Sequence, residues 1–527
     1  MLTRVEPAGL ALKALQQAGT ILASTRRIFN ASLGLLDERG TTQPYLAREL
    51  PQLNSPSWQV FPDGRMETSY TLRPNLTWHD GRVHEAEDYV FAYRVYTAPE
   101  LGLAGSTPQN LIEEVVAPDP LTVTIRWRQS FADAGSLADT FPPLPRHILQ
   151  ESFEQRGTTG PEAFTAEPFW NRAYVGLGPY RLEHWEPGAF IETVAFDAHA
   201  LGRPRIDKLT IRWNSDPNAA LATILAGDVQ LSADSSLQFE QGTILRRQWT
   251  SNSAGTVLFK PDLFRATAAQ LRPDLSTPRA IQDPRVRRAI AHAVDKDTVN
   301  DVLFGGDGYM ANGVVPTTVW YGGDLDRGVA KYPYDLRRSE LLMAEAGFSK
   351  GSDGTYTSPS EGRFAPEVRT NASAFFENEM SVLASGWRNA GFDFNEYVNP
   401  AALVQDPQVR ALFPSFFTFS QGLGEQALVD YSTNGIPRPE NRWVGSNRGG
   451  WSNADFDRLA AAVNATLDRN QRAQTFVQMS RIYSDELPVL PLYFQPSVTG
   501  FAMGLTGPTM VAPDTAINWN IHQWELR

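Results

Sequence analysis

The sequence predicts an α/β protein of two lobes, with the chain crossing between them twice. Three observations carry that expectation. At mid-chain, Thr256-Val-Leu-Phe-Lys260 is an apolar run too short for a helix and bounded by Pro261, which predicts a buried strand. It opens a stretch in which helical and strand patterns alternate, as in a mixed α/β lobe. Near the C-terminus, Leu487 to Phe494 is a Pro-punctuated apolar strand and a candidate return crossing. With 527 residues, the chain also exceeds what a single hydrophobic core serves, and two or three domains are expected.

The central stretch continues through a polar, Pro-containing loop into a helix. Asp283 is its N-cap and Pro284 its first residue. Val286, Ile290, Ala293, Val294 and Leu303 form an apolar stripe, and Gly305 closes the end. Arg285, Arg287, Arg288, Lys296 and Asp297 are placed on the wet face.

The N-terminal half reads in order as follows. Leu10 to Leu22 has helical spacing, and Tyr45 to Leu53 is a Pro-bounded loop around a short turn. After the Asp63-Gly64 turn, Met66, Thr68, Tyr70 and Leu72 alternate with Glu67, Ser69, Thr71 and Arg73, which predicts a half-buried strand. A helix from about Glu85 buries Ala86, Tyr89, Val90, Tyr93 and Tyr96. Leu121, Val123, Ile125 and Trp127 mark a second alternating strand. Val175-Gly-Leu-Gly-Pro-Tyr180 leads into a hairpin that turns at Glu186-Pro-Gly188 and returns through Phe190 to Phe196. Ile206 to Trp213 continues the β character, and Asn218 to Ala226 is helical.

Beyond the crossover, Asp335 to Ala346 is a helix closed by Gly347. Glu367 to Thr370 is a strand, Phe376 to Ala390 a helix closed by Gly391, and Phe392 to Tyr397 the next strand. Asn453 caps one further helix, and another runs from about Arg469 to Glu486.

Composition excludes several functions. A net charge of −12 argues against nucleic-acid binding, which needs clustered Lys and Arg. No apolar run approaches the ~20 residues of a membrane span. The absence of cysteine excludes thiol nucleophiles, Cys-ligated zinc and disulfides. The 13 Trp, 16 Tyr and 28 Phe are a rich aromatic content, most of it expected in the core, and a ligand cleft lined with aromatics would use some. The first residues show no basic stretch followed by an apolar core. That leaves a cytoplasmic protein and an exported one with its leader removed both open.

No motif assembles catalysis. Gly347-Phe-Ser-Lys-Gly351 spells the pattern of a nucleophile elbow, but a helix precedes it where that elbow needs a strand, so it reads as a helix C-cap. Gly176 and Gly178 precede a strand rather than a helix, which is the wrong context for a phosphate cradle. His79-Asp80 and His84-Glu85 lack the helical pairing of a metal site, and His292 sits among alanines as a packed residue. We therefore expect a clamshell binder and no catalytic residue, metal or cofactor.

Four blocks then carry a family resemblance. They are Tyr70-Thr-Leu-Arg-Pro-Asn-Leu-Thr-Trp-His-Asp-Gly81 with Glu85-Ala-Glu-Asp-Tyr-Val-Phe91, and Val175-Gly-Leu-Gly-Pro-Tyr-Arg-Leu182 with Trp185-Glu-Pro-Gly188. The others are Asp283-Pro-Arg-Val-Arg-Arg-Ala-Ile-Ala-His-Ala-Val-Asp295 and Gly450-Trp-Ser-Asn-Ala-Asp-Phe-Asp457. In this order they resemble the family 5 extracellular solute-binding proteins, the oligopeptide, dipeptide and nickel group that feeds ABC importers.

The resemblance implies a two-lobed periplasmic-binding-protein-like fold of type II, with an extra domain on the first lobe. Residues 1–30, 172–259 and 488–527 would form lobe one, 31–171 the extra domain and 260–487 lobe two. It implies a periplasmic or extracellular protein, possible lipid anchoring through a removed N-terminal segment, a monomer, a small-molecule or peptide ligand, and ABC permease subunits as membrane partners. Oligosaccharide or opine binding and a secreted hydrolase are the alternatives.

Position in the family scheme places Phe416, Phe417, Phe419, Gln421, Trp443 and Arg448, with Phe29 and Asn30 from the first lobe, around the ligand. Peptide-binding relatives anchor the peptide α-amine with an Asp-Tyr-x-Asp-Pro stretch. The aligned segment here, Phe416-Phe-Thr-Phe-Ser-Gln-Gly-Leu-Gly-Glu425, has no Asp. Burying an ammonium without a counter-charge is costly, so a ligand without a free α-amine at this position is expected. Glu425 or Asp430 folding back is the route by which the anchor would be restored.

Overall fold

The structure, a computed structural model, describes all residues except 14–21, Gly105, Gln405, Arg442 and Asp514. Most of the helix expected from Leu10 to Leu22 therefore lies outside the described residues. The chain folds as two compact units. Unit one is Met1–Lys260, Asn464–Leu467 and Ser497–Arg527; unit two is Pro261–Val463 and Asp468–Pro496.

The two largest sheets of unit one among the described residues have four strands each. In the first, Trp58–Val60, Met66–Thr71, Thr122–Trp127 and Ile112–Asp119 lie side by side in that order. The alternation read from the sequence sets its register: Met66 faces Trp127, Thr68 faces Ile125 and Tyr70 faces Val123, with all six side chains buried. In the second, the hairpin Tyr180–Glu186 and Phe190–Ala195 is extended by Lys208–Trp213, to which Leu2–Thr3 adds in parallel.

The helix Glu87–Tyr96 has no Ser or Thr cap. Asp88 does that work from inside. Its Oδ2 accepts from the Glu85 N–H at 3.1 Å, Trp78 Nε1 at 3.1 Å and His84 Nδ1 at 2.9 Å, and its Oδ1 accepts from the Arg146 N–H at 3.2 Å. Burial raises this carboxyl, but the His84 contact and the other donors outweigh burial and hold it below its ordinary range. The helices Arg146–Thr159 and Phe239–Asn252 carry no strong sequence signal and are additions to the expected elements.

A buried polar chain in unit one predicts a pH dependence. Arg27 donates to the Tyr45 hydroxyl at 2.7 Å, and that hydroxyl lies 2.7 Å from His199 Nε2. His199 Nδ1 faces the Gly202 carbonyl at 2.9 Å, and the His522 ring is 5.3 Å away. The carbonyl can only accept, so Nδ1 carries the proton and Nε2 accepts. Burial first, then the Arg27 charge, pushes His199 down to about 3 from an ordinary value of 6.5, with His522 and His79 adding to the effect. Burial, Arg27 and Arg205 push His522 down to about 4.

Between those values and 6.5 the unfolded chain binds more protons than the folded one, so stability rises with pH across that window. It is complete above 6.5 and lost as the pH falls toward 4 and then 3. We expect the urea midpoint to fall steadily from about pH 7 to about pH 4.5, and His199→Gln to flatten that slope. An unchanged midpoint over the range would contradict the neutral-histidine arrangement.

Unit two is organised on a six-stranded mixed sheet in the order Tyr309–Met310, Val489–Ala502, Gly255–Ala269, Phe416–Gly422, Glu367–Asn371, Asn395–Asn399. Glu367–Asn371 runs parallel to both neighbours, and Ala374–Ala390 is the crossover helix to Asn395–Asn399. The two apolar runs that read as crossings are neighbouring strands, and the chain changes unit within each of them. Both are longer than expected. Gly255–Ala269 runs through Pro261, two residues before its pairing with Phe416–Gly422 starts at Leu263.

The expected single helix from Asp283 to Gly305 is two helices, Pro284–His292 and Lys296–Phe304. The break falls at Ala293 and Val294 because Asp295 is itself an N-cap, accepting from the Asp297 and Thr298 N–H groups at 3.1 Å each. Arg287, expected on the wet face, is buried. Its Nε donates to the Glu486 and Leu487 carbonyls at 3.1 and 3.0 Å, and its Nη1 to the Ile281 and Gln282 carbonyls at 2.9 and 2.8 Å. Burial lowers it to about 10. Carbonyls at the C-terminus of the helix Arg469–Glu486 supply partial negative charge that offsets the loss of water around the guanidinium.

Other helix starts follow their caps. Asp335 accepts from the Arg338 N–H at 2.9 Å, Asn453 from Phe456 at 2.9 Å and Asp468 from Gln471 at 2.8 Å. Gly347, at φ 89°, follows the helix Leu336–Glu345, and Ser349 is exposed in a short strand pair, as the C-cap reading requires.

Candidate functional site

The strand Phe416–Gly422 lies antiparallel to Gly255–Ala269, with Ala269 opposite Phe416 and Phe264 opposite Gln421. Strand periodicity divides its side chains between two faces. Thr418 pairs with Thr267 at 3.1 Å between hydroxyls, and Ser420 lies 3.4 Å from the Arg265 guanidinium. Phe416 packs on Phe394 at a centroid distance of 5.5 Å. On the alternate face, Phe417 and Phe419 stack at 6.1 Å and belong to the core of unit two. All three phenylalanines are buried.

Arg448 lies over that same face. Its guanidinium carbon is 4.5 Å from the Phe419 ring and 5.8 Å from the Phe417 ring. It is 8% exposed. Among the described residues no carboxylate pairs with it, although buried cations are otherwise almost always paired.

The backbone beneath it is fixed. Asn447 Nδ2 donates to the Tyr431 and Trp451 carbonyls at 2.8 and 2.7 Å, and its Oδ1 accepts from the Trp451 N–H at 3.1 Å. Arg272 Nη1 donates to the Arg448 carbonyl at 2.7 Å. The Gly449 carbonyl accepts from the Leu271 N–H at 2.7 Å, and a Cβ at Gly449 would strike the Ala269 carbonyl, so the loop can approach the sheet only with glycine.

Gln421, two residues beyond Phe419, has a buried side-chain amide with no hydrogen-bond partner on either atom among the described residues. It faces the Tyr431 hydroxyl without bonding to it. Tyr431 and Tyr483 pack at 4.7 Å, with their buried hydroxyls facing each other. Nearby carboxylates are engaged elsewhere. Glu425 accepts from the Tyr321 hydroxyl at 2.9 Å and lies 3.8 Å from Arg472, and Asp430 accepts from Gln426 at 2.9 Å. Trp443 is half-buried, with φ at 63°, and its N–H donates to the Arg438 carbonyl at 2.8 Å.

The structure thus brings Phe417, Phe419, Gln421 and Arg448 together in unit two. Sequence reasoning misses Tyr431 and Tyr483. They come from a short helix's end and from the helix Arg469–Glu486, where apolar spacing marks them as core.

Phe29 and Asn30 lie in unit one, at the end of the helix Ala23–Phe29. Phe29 is buried edge-on to Tyr174 at 6.4 Å. Asn30 Nδ2 donates to the Leu10 and Arg26 carbonyls at 2.7 and 2.8 Å, and its Oδ1 accepts from the Tyr174 hydroxyl. The Gly-x-Gly pair closes on this corner. Gly178 N–H donates to the Phe29 carbonyl at 3.0 Å, and a Cβ at Gly176 or Gly178 would strike the Phe29–Asn30 backbone.

We expect Gly178→Ala to cost about 1–3 kcal/mol. By contrast Gly157→Ala, in the open helix Arg146–Thr159, should stabilise by about 0.5–1 kcal/mol. Thermal melts of the two variants check the opposite signs. His79 is held by the same pair: its Nε2 is 3.0 Å from the Gly178 carbonyl and its Nδ1 accepts from the Gly176 N–H at 3.1 Å. Both ring nitrogens are thereby used by the backbone.

Comparison with known proteins now bears on this arrangement. The family model for bacterial extracellular solute-binding proteins, family 5 middle, matches residues 50–418, well over half of the chain. The chain belongs to that family. The family 5 protein is 24% identical over 474 residues to the dipeptide-binding protein of Escherichia coli (strain K12), covering 82% of this chain and 78% of that one. It is 24% identical over 454 residues to the oligopeptide-binding protein AppA of Bacillus subtilis (strain 168), covering 82% and 76%. It spans about half the length, 51%, of a putative ABC transporter peptide-binding protein from Brucella ovis, with 26% identity over 300 residues and 56% of this chain.

Among solved structures, NikZ from Campylobacter jejuni in complex with Ni(L-His) superposes with a TM-score of 0.76 at 19% identity, covering 99% of this chain and 98% of that one. The oligopeptide binding protein from Thermus thermophilus with a pentapeptide gives 0.71 at 23%, covering 100% and 96%. These likenesses establish the two-lobed family 5 fold. No described helix of the family 5 protein is long and apolar enough to cross a membrane.

Proposed function

We propose that this family 5 protein is the extracytoplasmic binding component of an ABC importer. It captures a small solute with an anionic group and delivers it to permease subunits in the membrane. The observation that carries the ligand reading is Arg448, a buried guanidinium stacked on Phe419 with no acidic partner among the described residues. A ligand carboxylate would supply the missing charge through the guanidinium fork, and the Gln421 amide would take a neighbouring carbonyl or hydroxyl.

Glu425 and Asp430 are already bonded, so neither is disposed to take a peptide α-amine. This favours solutes without a free amine at that position. A sugar reading would rest on open aromatic faces, and Phe416, Phe417 and Phe419 are engaged in packing, which favours the anionic solute.

The division into residues 1–30, 172–259 and 488–527 as lobe one, 31–171 as its extra domain and 260–487 as lobe two is part of this proposal. So are Phe29, Asn30 and Trp443 as further contributors to the site, the monomeric state and a lipid anchor. Capture without turnover is the expected behaviour. In a thermal-shift screen of acylated amino acids, peptides, opines and sugars, a hit should stabilise the protein by ~2.7 kcal/mol at a hundredfold excess over Kd. Recovery of the hit chemically changed would favour a hydrolase instead.

A further inference from the structure

Unit one carries a second polar pocket that the solute site does not use. It is a cleft of about 380 Å³, open to solvent, lined by Arg48, Arg73, Pro74, Asn75, Leu76, Ala198, His199 and Ala200, of which Arg48, Pro74, Asn75 and Ala198 are exposed. That volume falls within the range of small-molecule sites. Two guanidiniums line it and no carboxylate does.

The backbone explains the pairing. Ala47 and Leu72 form an antiparallel bridge, the Arg48 N–H donates to the Thr71 carbonyl at 2.8 Å and the Arg73 N–H to the Leu46 carbonyl at 2.8 Å. The bridge sets the two arginines diagonally across one short ladder. Arg73 is oriented by its own Nε, which donates to the Tyr45 carbonyl at 2.6 Å, leaving its two terminal nitrogens without a protein acceptor among the described residues. Arg48 makes no side-chain hydrogen bond or ion pair among the described residues.

In a chain of net charge −12, two arginines on one face of a short ladder, with no carboxylate lining the cleft, make a local positive patch. Asn75, at φ 59°, holds the turn that closes one side. His199 closes another and is not a competing cation, since both of its ring nitrogens are bonded to Tyr45 and Gly202.

We propose that this pocket binds a doubly charged tetrahedral oxyanion, inorganic phosphate or the phosphomonoester of a small metabolite. Two guanidinium forks match its charge and its oxygens, whereas a carboxylate needs only one. The cleft is open to solvent, which leaves room for an organic group attached to the phosphate.

The test is calorimetric titration of the full chain with inorganic phosphate and, separately, glycerol 3-phosphate, at fixed ionic strength with acetate as the control anion. Wild type is compared with Arg48→Gln, chosen because the Arg48 side chain bonds to nothing that the fold needs. The expected result is saturable binding of at least one phosphoryl compound, weakened at least tenfold in R48Q, with the melting temperature of the free protein unchanged. Tighter binding of glycerol 3-phosphate assigns the site to phosphomonoesters, and tighter binding of phosphate assigns it to the free ion. No saturable binding, equal response to acetate, or unaltered binding in R48Q would each overturn the proposal.

Discussion

Arg448→Ala is expected to weaken solute binding by roughly thirtyfold or more while leaving the protein folded. The guanidinium stacks on Phe419 at 4.5 Å and is held by a loop fixed through Asn447 and Arg272. Losing one member of a buried charge pair costs about 2–5 kcal/mol of affinity, a weakening of roughly thirtyfold or more. Arg448→Lys keeps the charge but not the planar fork, so it should recover only part of the affinity. Calorimetry with a solute found by thermal shift gives the numbers, and circular dichroism gives the control on folding. Unaltered affinity in R448A would remove Arg448 from the site.

The largest stability effect is expected at Glu379. This carboxylate has a fully buried side chain and accepts from Arg265 Nε at 3.0 Å on each oxygen and from Arg265 Nη2 at 2.7 Å. The Tyr493 hydroxyl donates to Oε2, Arg265 Nη2 reaches the Thr370 hydroxyl at 3.2 Å, and the guanidinium stacks on Phe376 at 3.8 Å. The network ties the crossover helix Ala374–Ala390 to three strands of the sheet, through Arg265, Thr370 and Tyr493.

Glu379→Ala leaves a guanidinium buried without its counter-charge and should cost about 3–5 kcal/mol. Replacing both partners, Arg265→Leu with Glu379→Leu, should cost far less, because no orphan charge remains. Urea unfolding of the single and double variants separates the two cases. A single variant as stable as wild type would mean that the pair contributes little.

Much of the fold is legible from local signals. Asp283, Asp335, Asn453 and Asp468 each precede a helix and each is found capping it. Met66–Thr71 and Thr122–Trp127 alternate in the sequence because one face of their sheet is buried. Where an outcome depends on distant carbonyls, local pattern misleads. Arg287 reads as a surface cation, and only the end of a helix some two hundred residues further on makes it a core residue. The second helix start at Asp295 has the residue type of a cap but is masked by an apolar stripe that continues across the break.

At the site the split is similar. The segment Phe416–Gly422 and Arg448 are reachable from position in the family scheme, and the missing Asp is readable directly. The stacking of Arg448 on Phe419, and of Tyr431 on Tyr483, joins separate segments of the chain and has no periodicity to announce it. Aromatic density is the weakest guide, since Phe29, Phe416, Phe417 and Phe419 all serve core packing.

The central claim is capture of an anionic solute through Arg448 without chemistry. Calorimetric titration with matched pairs of solutes that differ only in carboxylate against carboxamide tests it most directly, with each solute recovered afterwards and weighed by mass spectrometry. The account predicts that the carboxylate member binds, that the carboxamide binds at least roughly thirtyfold more weakly, and that both are recovered unchanged. Equal binding of the two members, or recovery of a converted solute, would contradict it.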